Sequence, residues 1–292
     1  MRALVLLPAA AALTHKTFTV TAPDGYALSV MESRDTATED AVLLLHGRTW
    51  SSGPVYGTTG AIDALGRAAY AMDFRGFGRT QERAADGLLK PSTCAEDVRC
   101  VLEALREKHS AVHVVGWSYG GLVAQLVAAG LCAGSDACSS SALVDRLVLY
   151  ASVWDGRGGY CDDAGPYAAP VPRGTQTYED CVSDFGIPGS ISDEDARAFG
   201  EATLKADPSC VDWTRLCEFE VDLGLITCPT LVIHGDVDPY AGAEDQRGLL
   251  AGLGSADKRL VVVPGSDHVA HALTEPKLKW GAALRAFFDE GR

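Results

Sequence analysis

The chain has 292 residues, of which 47% are hydrophobic and 22% are charged, and its formal net charge is −14. This composition is typical of a globular protein with one substantial core, and it excludes a disordered chain. The negative charge disfavours nucleic acid and anionic membrane surfaces as partners, because both would repel the chain.

Along most of the sequence, short apolar runs alternate with helical patterns. The apolar runs predict eight strands, at residues 17–21, 27–31, 41–46, 69–74, 112–116, 146–151, 230–234 and 259–263. Helical patterns fall at residues 60–68, 95–109, 119–131, 243–253 and 276–289. This alternation predicts an α/β fold in which a mostly parallel, eight-stranded sheet is covered by helices on both faces.

The most informative motif is Gly116-Trp117-Ser118-Tyr119-Gly120, which follows a predicted strand and opens a predicted helix. In this context the motif is typical of a nucleophile elbow, where a strained turn lifts the serine hydroxyl clear of the sheet. Glycine is needed on both sides because a Cβ there would collide with the strand or the helix. We therefore predict that Ser118 is a nucleophile.

Two later strand ends carry the residue types that a serine nucleophile needs. The strand at 230–234 is followed by a turn with Asp236 and Asp238, and the strand at 259–263 by a turn with His268. The carboxyl ends of parallel strands form the edge of the sheet where ligands bind. A serine, a carboxylate and a histidine in this chain order are therefore expected at one edge.

Together these segments resemble the α/β-hydrolase superfamily, in its serine-nucleophile branch of esterases and lipases. His46-Gly47 resembles the family's turn after the third strand, and residues 73–78 resemble its Asp-x-Arg-Gly-x-Gly segment after the fourth. The opening pair of strands resembles the family's first hairpin. The resemblance extends from about residue 14 to about residue 291 and implies the α/β-hydrolase fold.

The resemblance implies a catalytic triad of Ser118, Asp238 and His268. A serine hydroxyl is a weak nucleophile at neutral pH, so His268 is expected to act first as its base and then as the acid for the leaving group. Asp238 fits the family's position for the carboxylate that orients the histidine. Asp236 is the neighbouring alternative, and Asp155 stands where a minority of the family carries its acid.

An acyl-transfer reaction of this kind also needs two backbone donors for the oxyanion. One is predicted to be the N–H of Tyr119, in the first turn of a helix, where the dipole favours negative charge. By resemblance, the other is the N–H of Arg48. Many relatives have a small or aromatic residue at that position. The Arg48 side chain is expected to point outward, with recognition of an anionic substrate group as the alternative.

The remaining histidines and the motif search indicate no further chemistry. His271 is an alternative base to His268, whereas His46 and His234 are predicted to be structural residues of strand-end turns. The sequence has no H-E-x-x-H motif, no C-x-x-C pair and no dinucleotide or P-loop fingerprint. No cofactor and no metal are predicted.

Residues 152–228 interrupt the alternation of strands and helices. No sheet pattern is present there, and a capping pattern at Ser192 predicts a helix through residue 206. The stretch is too long for a simple connection, so we predict a cap over the site, inserted between core segments 15–151 and 229–292. A poorly structured insertion is the alternative. Aromatic residues predicted for substrate contact are Trp50 and Trp154, with Tyr160, Tyr167, Tyr178 and Phe185 as further candidates or core residues.

Nine cysteines and the N-terminus bear on location. The simplest pairing leaves Cys228 as a core thiol and joins Cys94 with Cys100, Cys132 with Cys138, Cys161 with Cys181, and Cys210 with Cys217. Such pairs predict disulfides in an oxidising compartment, with reduced thiols as the alternative. Residues 1–14 have the basic start and apolar run of a signal peptide and are too short to span a membrane. Secretion is predicted, with a cytoplasmic location as the alternative.

These features predict a serine hydrolase that cleaves a small-molecule or lipid-like carboxylic ester through an acyl-enzyme. A serine at position 118 excludes the dehalogenases and most epoxide hydrolases of this fold, which use an aspartate there. Amidase or peptidase, thioesterase and acyltransferase activities remain open, because the same triad supports them. A different class is a small-molecule receptor with slow turnover. The acyl and alcohol groups and the oligomeric state are left open by the sequence.

Overall fold

The computed structural model of the chain describes residues 15–33, 38–80, 91–131, 139–153, 173–211 and 221–290. All eight predicted strands are present in one sheet. They are β1 (Lys16–Thr21), β2 (Ala27–Glu32), β3 (Asp40–Leu45), β4 (Ala68–Met72), β5 (Ala111–Trp117), β6 (Leu147–Tyr150), β9 (Thr230–Gly235) and β10 (Lys258–Val263). Strands β7 and β8 belong to the inserted segment described below.

The strand order in the sheet is β1-β2-β4-β3-β5-β6-β9-β10. Strand β2 is antiparallel to both of its neighbours, and every other pair is parallel. The crossovers between parallel strands require long connections, which here contain the helices. The predicted α/β fold with a mostly parallel eight-stranded sheet is confirmed.

Four helices cover the two faces of this sheet: α1 (Pro91–Arg106), α2 (Tyr119–Ala128), α5 (Ala243–Gly252) and α6 (Thr274–Asp289). Side chains alternate along β3, so Leu43 and Leu45 pack with α1, α2 and α5, whereas Val42 and Leu44 face the cluster that contains α6. Both faces of the strand are therefore buried, which explains its continuous apolar run.

The helix predicted at residues 60–68 is wrong. A π-helical turn occupies Gly53–Thr58, a short 3₁₀ turn occupies Asp63–Leu65, and β4 already begins at Ala68. Gly60 and Gly66 have φ values of 72° and 63°. This left-handed conformation does not continue an α-helix, so the two glycines end each short turn.

The inserted segment contains more regular structure than its sequence pattern indicates. The helix predicted after Ser192 is present as α4 (Asp193–Ala206), and the Ser192 side chain accepts a hydrogen bond from the Asp195 N–H. A second, shorter helix, α3 (Tyr178–Val182), precedes it. The sequence shows no sheet pattern in this segment, and the expectation that it has no strands is wrong. Strands β7 (Arg173–Thr175) and β8 (Ser209–Val211) form a separate two-stranded antiparallel sheet.

The predicted disulfide between Cys94 and Cys100 is wrong, because both are free thiols. They lie six residues apart on α1, which separates them by about 9 Å along the helix axis. A disulfide requires Cα atoms within about 7 Å. Cys228 is also a free thiol, as predicted. Of the other three predicted pairs, Cys132–Cys138 lies wholly outside the described part of the chain, and the remaining two each include one residue outside it, Cys161 or Cys217.

Within the described ranges, none of the helices has the length and apolar character needed to cross a membrane. Residues 1–14 lie outside those ranges. The signal peptide and the predicted secretion therefore stay predictions.

Candidate active site

The candidate site lies where the parallel strands of the sheet end. Arg48 follows β3, Ser118 follows β5, Asp238 follows β9 and His268 follows β10. Strands β3, β5, β6, β9 and β10 are consecutive neighbours in the sheet and run in the same direction. Their carboxyl ends therefore bring the four turns to one edge.

The turn at Ser118 has the strained geometry predicted from its two glycines. Ser118 has φ 53° and ψ −116°, in a region that residues with a side chain rarely adopt, and α2 starts at the next residue. A Cβ on Gly116 would collide with the backbone of Gly120, and a Cβ on Gly120 would lie 2.5 Å from the Leu45 carbonyl oxygen. Both glycines allow α2 to approach the sheet closely enough to present Ser118 at its edge.

His268 and Asp238 form a hydrogen-bonded pair across two neighbouring turns. The His268 Nδ1 lies 2.9 Å from Asp238 Oδ2 and 3.1 Å from Oδ1. The Asp238 side chain is fully buried and that of His268 is 6% exposed. A carboxylate at Nδ1 fixes the orientation of the ring and leaves Nε2 available as a base.

The environment of Asp238 keeps its carboxyl group ionised. Burial raises its pKa, but the hydrogen bond and charge of the His268 ring act in the opposite direction. The backbone N–H groups of Tyr240 and Ala241 also donate to Asp238 Oδ1, at 2.8 and 2.9 Å. The pKa of Asp238 therefore lies below its ordinary value of 3.8.

The backbone and ring of His268 are held by aromatic neighbours. The Trp117 indole N–H and the Tyr150 hydroxyl both donate to the His268 carbonyl oxygen, at 2.9 and 3.1 Å. The ring centroids of Trp117 and Tyr240 lie 5.4 and 5.1 Å from that of His268. These contacts restrict the ring to one position, which a proton-transferring group requires.

The alternative acid and base are placed differently. Asp236 is exposed, and its Oδ1 accepts a hydrogen bond from the Ser266 N–H at 3.1 Å, so it braces the turn before His268. His271 is buried, with its Nδ1 3.1 Å from the Tyr150 hydroxyl, and burial lowers its pKa to about 3. Asp155 lies outside the described residues.

Ser118 and His268 line one small cavity of about 50 Å³. Its described lining consists of Gly47, Arg48, Thr49, Trp117, Ser118, Val153, Asp184, Tyr240 and His268. Among the described residues, no hydrogen bond joins the Ser118 hydroxyl to the His268 ring. Nor does any group of three or more potential metal ligands occur in the described ranges.

Asp184 and Tyr240 line the cavity although the sequence did not single them out. Burial raises the pKa of Asp184, and the charges of His268 and Arg48 partly oppose this effect. Tyr240 follows Asp238 by two residues in the same turn, so its proximity could have been expected. Asp184 comes from the inserted segment, and no sequence pattern indicates which of its residues reaches the cavity.

The two residues predicted to supply oxyanion donors both lie close to Ser118. Arg48 lines the cavity, and Tyr119 is the first residue of α2, directly after Ser118. The Tyr119 side chain is buried, where its ring packs against Phe74 and its hydroxyl donates to Cys94 Sγ at 3.7 Å. The Tyr119 side chain therefore belongs to the hydrophobic core.

His46 connects the turn before Arg48 to the turn after β4. Its Nδ1 lies 2.6 Å from the Gly47 carbonyl oxygen, and its Nε2 accepts a hydrogen bond from the Phe74 N–H at 3.0 Å. These partners place the proton on Nδ1, and burial lowers the pKa of His46 to about 3. His46 is therefore a neutral structural residue, as predicted.

The aromatic residues predicted for substrate contact have other surroundings where they are described. Trp50 is 1% exposed and packs between Trp117 and Phe199, with centroid distances of 5.9 and 5.0 Å. It joins the core to α4 and is not part of the described cavity lining. Phe185 packs against Phe199, and Tyr178 is partly exposed on α3. The remaining candidates, Trp154, Tyr160 and Tyr167, lie outside the described residues.

A mostly parallel sheet with a strained serine at its carboxyl edge defines an α/β-hydrolase fold. The model of the Alpha/beta hydrolase family matches residues 42–278, and the chain belongs to this family.

Solved structures similar to this chain differ in the activities that they carry. A serine hydrolase involved in carbazole degradation is 19% identical, with a TM-score of 0.66, and the match covers 94% of this chain and 99% of that chain. An esterase from Exiguobacterium antarcticum is 18% identical, with a TM-score of 0.64 and coverage of 92% and 98%. A bromoperoxidase from Bacillus anthracis is also 18% identical, with a TM-score of 0.63 and coverage of 94% and 100%. At these identities the likeness concerns the fold.

Proposed function

We propose that this chain is a serine hydrolase that cleaves a carboxylic ester through an acyl-enzyme intermediate. The proposal depends above all on the buried Asp238–His268 pair, whose His268 ring lines the same cavity as the strained Ser118. A nucleophile, a base and a carboxylate that orients the base are the three groups needed for this chemistry.

In the proposed acylation step, His268 Nε2 removes the proton from the Ser118 hydroxyl as Oγ attacks the ester carbonyl carbon. The tetrahedral intermediate collapses when the protonated ring gives its proton to the leaving alcohol, and the acyl group stays on Oγ. In deacylation, the ring activates water, which releases the carboxylic acid and regenerates Ser118. The ionised Asp238 stabilises the transient positive charge on His268 in both steps.

The oxyanion of each intermediate is proposed to accept hydrogen bonds from the backbone N–H groups of Arg48 and Tyr119. Arg48 lines the cavity, and Tyr119 directly follows the nucleophile at the first position of α2. The positive end of the helix dipole adds to the stabilisation of negative charge there. Each donor of this kind is worth roughly 10²- to 10³-fold in kcat.

The described part of the cavity favours a short and polar substrate over a long acyl chain. Arg48, Thr49, Asp184 and Tyr240 are polar residues of its lining. The inserted segment contributes Asp184 to this lining, and the Gly186 N–H donates to Asp267 Oδ2, next to His268, at 3.1 Å. These contacts support the proposal that residues 152–228 form a cap.

The first experiment measures hydrolysis of p-nitrophenyl esters from acetate to palmitate, together with labelling by a fluorophosphonate. We expect the highest kcat/KM for the shortest esters and labelling of Ser118. The Ser118→Ala variant should lose at least roughly 10³-fold in kcat and all labelling. Ser183→Ala, which changes an exposed serine of the inserted segment, is the matched control and should behave as the wild type.

A folded wild-type protein that neither turns over esters nor reacts with the fluorophosphonate would contradict the proposal. Tight stoichiometric binding of a small molecule would then favour a receptor. Parallel assays with anilide, thioester and added alcohol acceptors separate ester hydrolysis from amidase, thioesterase and acyltransferase activity, which use the same three side chains.

A further inference from the structure

Asp207, the residue that follows α4, is buried where the inserted segment meets the core. It is 0% exposed. Its Oδ2 accepts a hydrogen bond from the Ser51 N–H and its Oδ1 one from the Gly78 N–H, both at 2.8 Å. One carboxyl group of the inserted segment thus holds two core loops, the loop after β3 and the loop after β4.

Asp73 of the core holds the same two loops at the adjacent residues. Its Oδ1 accepts a hydrogen bond from the Ser52 N–H at 2.9 Å, and its Oδ2 accepts one from the Arg79 N–H at 3.0 Å. Consecutive amides of each loop therefore donate to two different carboxyl groups. The local backbone is crowded as well, because a Cβ on Gly78 would collide with Asp73 and lie 2.8 Å from Ser51 Cβ.

The loop held in this way leads directly to the cavity. Ser51 follows Arg48 by three residues, and between them Trp50 packs against Phe199 of α4 at a centroid distance of 5.0 Å. On the other side of Arg48, a Cβ on Gly47 would lie 3.0 Å from the Trp117 ring. The backbone at Arg48 is therefore fixed between the nucleophile turn and the contacts that α4 and Asp207 make.

We infer that Asp207 is a positioning residue for the Arg48 N–H, so that an inserted segment sets the geometry of the oxyanion site. The inference rests on the proposed function. A carboxyl group that accepts two backbone N–H bonds in a buried place fixes a loop more firmly than a neutral acceptor does. Asparagine has nearly the same shape, but its amide offers only one acceptor oxygen, so one of the two loop amides would face an NH₂ group.

The test compares Asp207→Asn with Asp195→Asn, which makes the same chemical change at the exposed start of the same helix. For Asp207→Asn we expect kcat for p-nitrophenyl acetate to fall roughly 10- to 100-fold while KM changes less than about threefold, because the lost interaction acts mainly on the transition state. Asp195→Asn should keep kcat within about twofold of the wild type.

Hydrogen exchange gives a second readout that does not depend on activity. Peptides that cover residues 48–52 and 76–79 should exchange faster in Asp207→Asn, whereas peptides from β5 and β9 should not change. Asp207→Glu keeps two acceptor oxygens and is expected to recover part of kcat relative to Asp207→Asn. If the asparagine variant does not fold, the glutamate variant and slow exchange of residues 48–52 in the wild type provide the test.

The outcomes separate this inference from the proposed function. Wild-type protein without ester turnover or Ser118 labelling refutes the function and, with it, a role for Asp207 in that reaction. Normal wild-type turnover, together with an unchanged kcat or unchanged exchange at residues 48–52 in Asp207→Asn, refutes the inference alone. A rise in KM with constant kcat also refutes it, because this would assign Asp207 to ground-state binding.

Discussion

The turns at the sheet edge and the largest described part of the inserted segment, residues 173–211, are held in place by different interactions. The edge turns extend from strands such as β5 and β9, whose side chains are buried on both faces of the sheet. In α4, by contrast, only Phe199, Gly200 and Thr203 are buried, and β7 and β8 pair only with each other.

Hydrogen bonds and an aromatic contact fix residues 173–211 of the inserted segment to the core. Asp207 accepts hydrogen bonds from the Ser51 and Gly78 N–H groups, and the Gly186 N–H donates to Asp267. Phe199 supplies an apolar contact, against Trp50. Apolar burial therefore determines where the site forms, whereas residues 173–211 are positioned by directional hydrogen bonds together with aromatic packing.

The largest effect is expected inside the core turn between β9 and α5. Asp238→Asn should lower kcat roughly 10³- to 10⁴-fold, because the amide no longer fixes the His268 tautomer or stabilises its positive charge. Steady-state assays with p-nitrophenyl acetate measure the loss. Asp236→Asn changes the neighbouring carboxylate, which accepts hydrogen bonds from backbone N–H groups that include that of Ser266, and should stay within about threefold of the wild type. Equal losses in both variants would contradict the assignment of Asp238.

A smaller, local effect is expected from the apolar contact of the inserted segment. Phe199→Ala removes a buried ring that packs against Trp50 and Phe185 and should cost about 3 kcal/mol of local stability. Because the sheet does not depend on this contact, hydrogen exchange should increase in residues 193–206 and stay constant in β5. Arg197→Ala, at an exposed position of the same helix, is the control. Uniform acceleration of exchange throughout the chain would show that the two regions unfold together.

The smallest effect concerns the pH dependence of stability at the boundary between the two regions. Burial and the nearby charge of Asp207 raise the pKa of Asp73 to about 6, against the effect of its backbone hydrogen bonds. The folded protein then binds more protons than the unfolded chain between about pH 4 and pH 6, so this group lowers the free energy of unfolding as pH rises through that window.

Asp73→Asn removes this titration. Urea unfolding of both proteins is measured from pH 4.5 to pH 7.5. As pH rises to about 6, the free energy of unfolding of the variant should increase relative to that of the wild type by an amount on the order of 1 kcal/mol. Only the slope is compared, because asparagine also lacks one of the two acceptor oxygens, which shifts the free energy of unfolding by the same amount at every pH. The pKa of Asp97 is likewise raised to about 6, but this group titrates in both proteins, so its contribution cancels when the two slopes are compared. Parallel curves would contradict the raised pKa of Asp73.

The sequence alone was sufficient where the structure depends on local pattern. The eight strands, the strained turn at Ser118 and the helix after Ser192 follow from apolar periodicity, glycine spacing and a capping residue. The same kind of local pattern led to a wrong prediction at residues 60–68. A helix was expected there, but Gly60 and Gly66 adopt the left-handed conformation, which does not continue an α-helix.

Only the tertiary structure decided contacts between distant parts of the chain. It showed that Asp238 contacts the His268 ring while Asp236 bonds Ser266, and it excluded a Cys94–Cys100 disulfide by placing both on one helix. It also brought Asp207 to Ser51, which lies 156 residues earlier. Periodicity and turn preferences act over a few residues, whereas such pairs form only after the sheet has brought its strand ends together, so no local pattern specifies them.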